Sequence, residues 1–324
     1  MGFVERHLKT IIQALLLLGI AIVPFLKIDA LYFPFVSGKA YVFRTLIASA
    51  FFFWIWFLLK DPSTLLRAMR PNFSGFARSF RKNILVGAIV LFFFAQMVAS
   101  FFGVDSLYSL FSSIERHDGV IQYGFWVLYF LMFLSVFREE RDWKIFFSIF
   151  TSVAVALSAY SWINGSFLTQ ERGAFGNPAY FAAFLLFAIG FSLLMYERKY
   201  FYPGPAHHAL FVLAGFLTIS LIATQVRGVY MGLAGGAALF AFLAILFLRK
   251  EHKKIALTSG IVLLAGLASL VILFTAKDTD FVKNTRLLWR ITEVTEFWES
   301  DSIRERVLNW NIALKAFRER PVFG

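Results

Sequence analysis

Three arginines in this sequence share a local pattern, each followed within one to three positions by a glycine: Arg116 with Gly119, Arg172 with Gly173, and Arg227 with Gly228. A guanidinium presents its N–H donors in a fixed planar fork that matches phosphate oxygens, so the pattern suits the holding of an anion. A fourth arginine, Arg306, stands four residues before Trp310 in a segment of helical periodicity, which makes the two near neighbours on one helix surface. Arg227 has the most unusual setting, because it is the only charged residue between Ala209 and Leu248.

That run constrains where Arg227 can be. As one helix its roughly 40 residues would extend about 60 Å, twice the thickness of a bilayer core, so it must cross twice with a tight turn between the crossings. Thr224, Gln225, Arg227 and Gly228 are the polar or small residues available for the turn, and Gly228 is the residue expected to supply its backbone freedom. Arg227 therefore belongs at a membrane margin. Gly228, Gly232 and Gly236 follow at a spacing of four, a face expected to seat a close helix contact below the arginine.

The elements that position these residues follow from composition. The chain has 324 residues, of which 59% are hydrophobic and only 16% charged, with 42 phenylalanines; an ordinary soluble domain of this length is far less apolar. Apolar stretches long enough to span recur at Leu8 to Leu26, Tyr41 to Leu59, Asn83 to Phe102, Gly119 to Phe137, Trp143 to Trp162, Ala179 to Tyr196, Ala209 to Ala223, Gly228 to Leu248 and Ile255 to Ala276. The fold class is all-α integral membrane, with about nine transmembrane helices. The first stretch lacks a small-residue cleavage site and reads as a retained anchor. There is no cysteine, which excludes a disulfide framework, a thiol nucleophile and a cysteine metal site.

The net charge of +12 is carried mostly by alternate connections, as in a membrane protein whose basic residues set topology, so nucleic acid is not an expected partner. With the N-terminus inside, the inner segments hold Arg6 and Lys9, the cluster Lys60, Arg67, Arg70, Arg78, Arg81 and Lys82, and further basic residues near 138–144, 198–199 and 249–254. Lys27, Lys39, Arg44, Arg116, Arg172 and Arg227 fall outside. Single arginines at helix ends commonly snorkel to lipid phosphates. Three beside glycines on the face that the orienting rule leaves poor in positive charge shift the reading toward an anion site.

Residues 1–276 thus form a polytopic transmembrane domain, and from Lys277 charges become frequent, as in an extramembrane region of two amphipathic helices. One is expected from about Phe281 to Glu299, with Leu288, Ile291, Thr295 and Trp298 on a stripe. Ser302 with Glu305 matches a capping box opening the other, whose stripe is Ile303, Val307, Trp310, Leu314 and Phe317 and which Pro321 stops. Such helices would lie along the membrane or over its loops. The segment 277–324 reads as the first part of a larger loop, the chain as a fragment.

Four stretches, "SLFSSIERHDGV", "ERGAFGNPAYFAAFLL", "ATQVRGVYMGL" and "RERVLNWNIALKAFRERPVFG", together resemble the O-antigen ligase and O-antigen polymerase superfamily of bacterial membrane glycosyltransferases. The resemblance implies a helical enzyme of the inner membrane, without metal or cofactor, that transfers a glycan from undecaprenyl diphosphate to an acceptor at the periplasmic face. The acceptor would be lipid A core, a growing glycan or a protein. It places Arg227 at the family's "RG" turn, Arg306 in the large periplasmic loop, Arg172 before Asn177 and Pro178, and Arg116 in an earlier loop, all four as diphosphate-binding residues. It also implies a histidine beyond Gly324 as a possible base.

The five histidines show no metal-ligand spacing; His207 and His208 are adjacent and face different ways, and His117 reads as a loop residue. "NGS" at Asn164 reads as a chance match to a glycosylation acceptor. A non-enzymatic lipid or polysaccharide transporter is the alternative, but it calls for ionisable or helix-breaking residues at mid-bilayer, and these spans are nearly free of them.

Overall fold

The computed structural model describes residues 3–60, 84–113, 118–167, 175–248, 257, 260, 261, 264, 268, 271–273, 275–284, 292, 301–319 and 321, with the backbone alone at 227, 248 and 301–303. Its helices are α1 Phe3–Ile22, α2 Ser37–Lys60, α3 Ile84–Phe102, α4 Ser106–Phe111, α5 Val120–Val136, α6 Glu140–Ile163, α7 Pro178–Glu197, α8 Pro205–Ala223, α9 Arg227–Leu248, α10 Asp280–Asn284 and α11 Asp301–Glu319. Seven of these are long and apolar enough to cross a membrane, and α5 is a shorter apolar helix of 17 residues at the expected fourth crossing. The expected ninth crossing, Ile255 to Ala276, lies largely outside the described residues, as does most of the helix expected from Phe281 to Glu299, of which α10 is the described part.

The boundaries shift for local reasons. The first crossing runs as α-helix from Phe3 rather than Leu8, then tightens into a 3-10 turn at Val23–Phe25, where Pro24 cannot continue the α-helical ladder. The fifth starts at Glu140, earlier than Trp143, because Glu139 and Asp142 cap it reciprocally: the Asp142 carboxylate accepts the Glu139 N–H at 3.2 Å while the Glu139 side chain takes an N–H of the first turn. Pro178 and Pro205 open α7 and α8, first-turn positions where a missing N–H loses no bond. At the C-terminal end, α11 begins at Asp301, which puts Ser302 inside the first turn instead of at the cap, and it ends at Glu319, before Pro321.

The chain divides into two compact units, Met1–Gly176 with Ala188–Leu217 and Lys315–Gly324 in one, and Asn177–Phe187 with Thr218–Leu314 in the other. In the first, Leu8, Ile12 and Leu16 recur every fourth residue along α1 and bury against Ile47, Ala50, Trp54 and Phe57 of α2 and Met132, Phe133 and Val136 of α5. In lipid such contacts gain dispersion and close fit rather than removal from water, so polar ties between helices matter more. Trp54 Nε1 donates to Ser135 Oγ at 2.8 Å, and the Ser135 hydroxyl in turn donates to the Met132 carbonyl at 2.6 Å. Phe133 stacks on Phe137 at 4.0 Å, and Trp143, Phe146, Phe147 and Phe191 extend the aromatic packing from α6 to α7.

One ionic clamp fixes α1 to the α5–α6 connection. Lys9 Nζ lies 3.1 Å from Glu139 and 3.0 Å from Asp142, Asp142 also accepts the Arg138 N–H at 3.1 Å, and Gln13 donates to the Val136 carbonyl at 2.9 Å. The side chains of Lys9 and Asp142 are only 14% and 9% exposed, so removing one partner strands a charge away from water. Asp142→Ala is expected to destabilise the detergent-solubilised protein by about 3 kcal/mol, read as a lower thermal midpoint, whereas Glu139→Ala, at a largely exposed carboxylate, changes it by under about 1 kcal/mol. Equal midpoints for Asp142→Ala and the unmodified chain would remove the clamp from this account.

Candidate functional site

The second unit contains the connection that holds Arg227. Helix α8 ends at Ala223, Thr224 to Val226 make the link, and Arg227 is the first residue of α9. The fully buried Thr224 turns its hydroxyl onto the Leu221 carbonyl at 2.7 Å, and the Gln225 N–H donates to the Ile222 carbonyl at 3.1 Å. Tyr230, one turn into α9, donates its hydroxyl to that same Ile222 carbonyl and so closes the link from the other side. The tight turn at this point is as expected, but the residue that bends it is different. Gln225 takes the left-handed conformation at φ +55°, and Gly228 is an ordinary helical residue of α9.

The glycine face of α9 has no close neighbour among the described residues, and the next expected crossing lies largely outside them. Around Gly228, Gly232 and Gly236, no described atom lies within 4 Å of where a β-carbon would be, so no described neighbour uses the face for close packing. Arg227 is placed by its backbone only. As the first helical residue it stands where the unbonded N–H groups and the positive end of the α9 dipole lie, a setting that favours an anion.

Arg306 lies within the first two turns of α11 and is exposed, and among the described residues no hydrogen bond, ion pair or ring contact holds it, Trp310 included. The stripe beside it is uncovered: Val307, Trp310, Leu314 and Phe317 are all exposed. Arg116 and Arg172 fall outside the described residues, and no contact among the described residues joins any of the four arginines to another.

The flanks of those two segments are nonetheless well defined. Before Arg116, Asp105 caps α4 by accepting the Tyr108 N–H at 2.9 Å, and Ser112 donates to the Asp118 carboxylate across the intervening residues. After Arg172, Gly176 adopts φ +67° with Phe35 so near that a β-carbon would come within 2.5 Å of its ring, which restricts the position to glycine. Phe175 lies under the Lys39 ammonium, 4.7 Å from Nζ. The next residues, Asn177 and Pro178, start α7: the Asn177 side chain accepts the Ala179 N–H at 2.8 Å and Pro178 takes the first helical position. Asn164, the residue of the "NGS" match, ends α6 by donating its side-chain amide to the Tyr160 carbonyl at 2.9 Å.

Two cations of the first unit gain importance that the sequence reading did not give them. Lys39 and Arg44 read from the sequence as outer-loop charges, yet both belong to α2, and Arg44 lies two turns inside that helix. Arg44 Nε donates to the Oε1 of the buried Gln122 on α5 at 2.7 Å, and its guanidinium lies 5.8 Å from the Phe125 ring centre. The signal was available: an arginine inside the apolar stretch Tyr41 to Leu59 is as anomalous as Arg227. Among the described residues no three His, Asp or Glu gather as metal ligands, and His207 is buried against the Tyr196 ring at 4.3 Å.

Residues 209–324 match the family model for O-antigen ligase. Over that segment, about a third of the chain, the protein is similar to the O-antigen ligase family. No curated protein and no solved structure matches the chain. The matched segment begins within α8 and takes in the Thr224–Val226 link, α9 with Arg227, and α11 with Arg306; Arg116 and Arg172 precede it. The apolar helices, together with that similarity, point to a multi-pass membrane protein.

The Arg44–Gln122 bond ties α2 to α5 through one charge-assisted contact, and a double-mutant cycle isolates it. Arg44→Met, Gln122→Leu and the double variant, compared by thermal midpoint and denaturant unfolding in detergent, are expected to show a coupling of about 1.5 to 3 kcal/mol. Additive losses would mean that the two side chains are stabilised independently.

Proposed function

We propose that this protein transfers a glycan from undecaprenyl diphosphate to an acceptor hydroxyl at the periplasmic face of the bacterial inner membrane. The observation that supports this most directly is the O-antigen ligase match over residues 209–324, which encloses an arginine at the first position of a helix that follows a three-residue link between two crossings. In the reaction the bond between the anomeric carbon and the diphosphate oxygen breaks, the acceptor oxygen bonds to that carbon, and the acceptor proton leaves to a base.

The departing lipid diphosphate gains negative charge as its bond to the sugar breaks. Fixed donors at a low-dielectric margin stabilise that charge more than water does, and they do so most in the transition state. Arg227 and the N-terminus of α9 supply such donors, with Arg306 as a second guanidinium and Arg172 and Arg116 assisting from the earlier loops. The exposed apolar stripe of α11, with Leu308 and Ile312 widening it, gives the Arg306 helix a surface that can rest against lipid while the guanidinium stays in the headgroup layer.

Membranes carrying the full-length protein, supplied with a polyprenyl-diphosphate oligosaccharide and acceptor, test this reading. Arg227→Ala is expected to lower the rate of transfer by about 100-fold or more, the scale of losing one preorganised donor at developing charge. Arg227→Lys should retain more activity than Ala and less than Arg, since an ammonium keeps the charge but loses the planar fork. Undiminished transfer by both variants would overturn the diphosphate role.

A further inference from the structure

The strongest feature outside the arginine loops is a cleft of about 820 Å³ in the first unit, at the end where α6 starts and α7 finishes. Arg141 and Lys144 line it from the first turns of α6, and Arg198 and Lys199 line it from the connection after α7, four cations against the carboxylate of Glu140 in the lining and that of Glu197, 3.8 Å from Arg198 Nε. Topology alone would require only that such charges be present on one side of the membrane. Here they border one open cleft.

Two contacts fix it. Lys144 Nζ donates to the Tyr200 carbonyl and stands 4.2 Å from the centre of the Phe201 ring, so the ammonium is tethered at the wall, with its other two N–H donors unengaged among the described residues. Lys199 adopts a left-handed backbone at φ +53°, which turns the chain back after α7 and brings Tyr200 and Phe201 against α6. Away from the charged end the α6 wall is Ile145, Ser148 and Ile149, apolar but for one hydroxyl, and Ile145 is 40% exposed on a helix long and apolar enough to cross the bilayer. An occupant that satisfies all of this has a phosphate at one end and hydrocarbon at the other.

We propose that this cleft is a binding site for the headgroup of an anionic phospholipid, with the phosphate held by Lys144, Arg141 and Arg198 and an acyl chain lying along Ile145 and Ile149. A basic pocket between crossing helices on the side rich in Lys and Arg has the chemistry for such a lipid. The site is independent of the glycan-transfer reading, since it lies in the first unit and uses none of the residues assigned to the diphosphate.

Titration of the purified full chain in neutral detergent with phosphatidylglycerol or phosphatidylcholine, followed by native mass spectrometry, tests the proposal. The double variant Arg141→Gln with Arg198→Gln is expected to bind phosphatidylglycerol about 30-fold more weakly, as two interfacial charges are lost, with phosphatidylcholine unaffected. Arg141→Lys with Arg198→Lys should restore binding. Arg6→Gln with Lys60→Gln, which removes equal charge from elsewhere in the same unit, should bind like the unmodified chain. Unchanged affinity in the first double variant, or an equal loss in the Arg6 and Lys60 control, would overturn the site. Displacement of the lipid by millimolar glycerol phosphate would overturn its assignment to a lipid.

Discussion

In the hydrocarbon of a bilayer the backbone has no water to bond, so every N–H and C=O of a crossing must be satisfied inside its own helix. Irregular backbone is thereby driven to the two margins, and polar side chains inside a crossing need a partner there, as Arg44 has in Gln122 and Trp54 in Ser135. The links described above obey this closely. Thr224, Gln225 and Tyr230 satisfy the last carbonyls of α8, Asn164 does so for α6, and Asn177 satisfies a first N–H of α7. An arginine found at a break in an apolar run is consequently an arginine at a margin, where it can meet an anion of the headgroup layer.

The same constraint gives the aromatic residues a second use. Rings fill the helix contacts around Phe133 and Phe191, but they also stand beside the cations at the margins: Lys27 over Phe35 at 5.2 Å, Lys39 over Phe175, Lys144 over Phe201, and Lys199 over Tyr202 at 5.6 Å. Where charge must lie next to lipid, a π face partly replaces the water that the ammonium has lost, and an aromatic ring is itself at home at the headgroup level. Basic and aromatic residues are thus adjacent at both ends of the first unit because they solve one desolvation problem together.

The crossings and the Arg227 link were legible in the sequence because length against bilayer thickness is a one-dimensional argument, and eight of the expected crossings have a described helix at the predicted place. What the sequence hid is of two kinds. Backbone choice at a turn depends on side chains that arrive from the next helix: with Tyr230 bonded back to the Ile222 carbonyl, Gln225 takes the conformation for which Gly228 was the natural candidate. Pairing across helices is equally invisible one residue at a time. Arg44 reads as a margin charge until Gln122, 78 positions away, is found to receive it inside the crossing.

Helix electrostatics sharpen the case for Arg227. A cation is favourable near the C-terminal end of a helix and unfavourable at its N-terminal end, by about 0.3 to 1 kcal/mol in either sense. Arg198 and Lys199, following α7, are placed where they help their helix. Arg141 and Lys144 sit at the wrong end of α6, but Glu140 and Asp142 in the same first turn offset them. Helix α9 begins with Arg227 and has no acidic residue in its first turn, so the arginine and the dipole reinforce one positive potential with nothing in that turn to balance it. For the isolated helix this arrangement is a net cost. It becomes favourable when an anion occupies the N-terminus, which is the condition that a polyprenyl diphosphate at the membrane margin would meet.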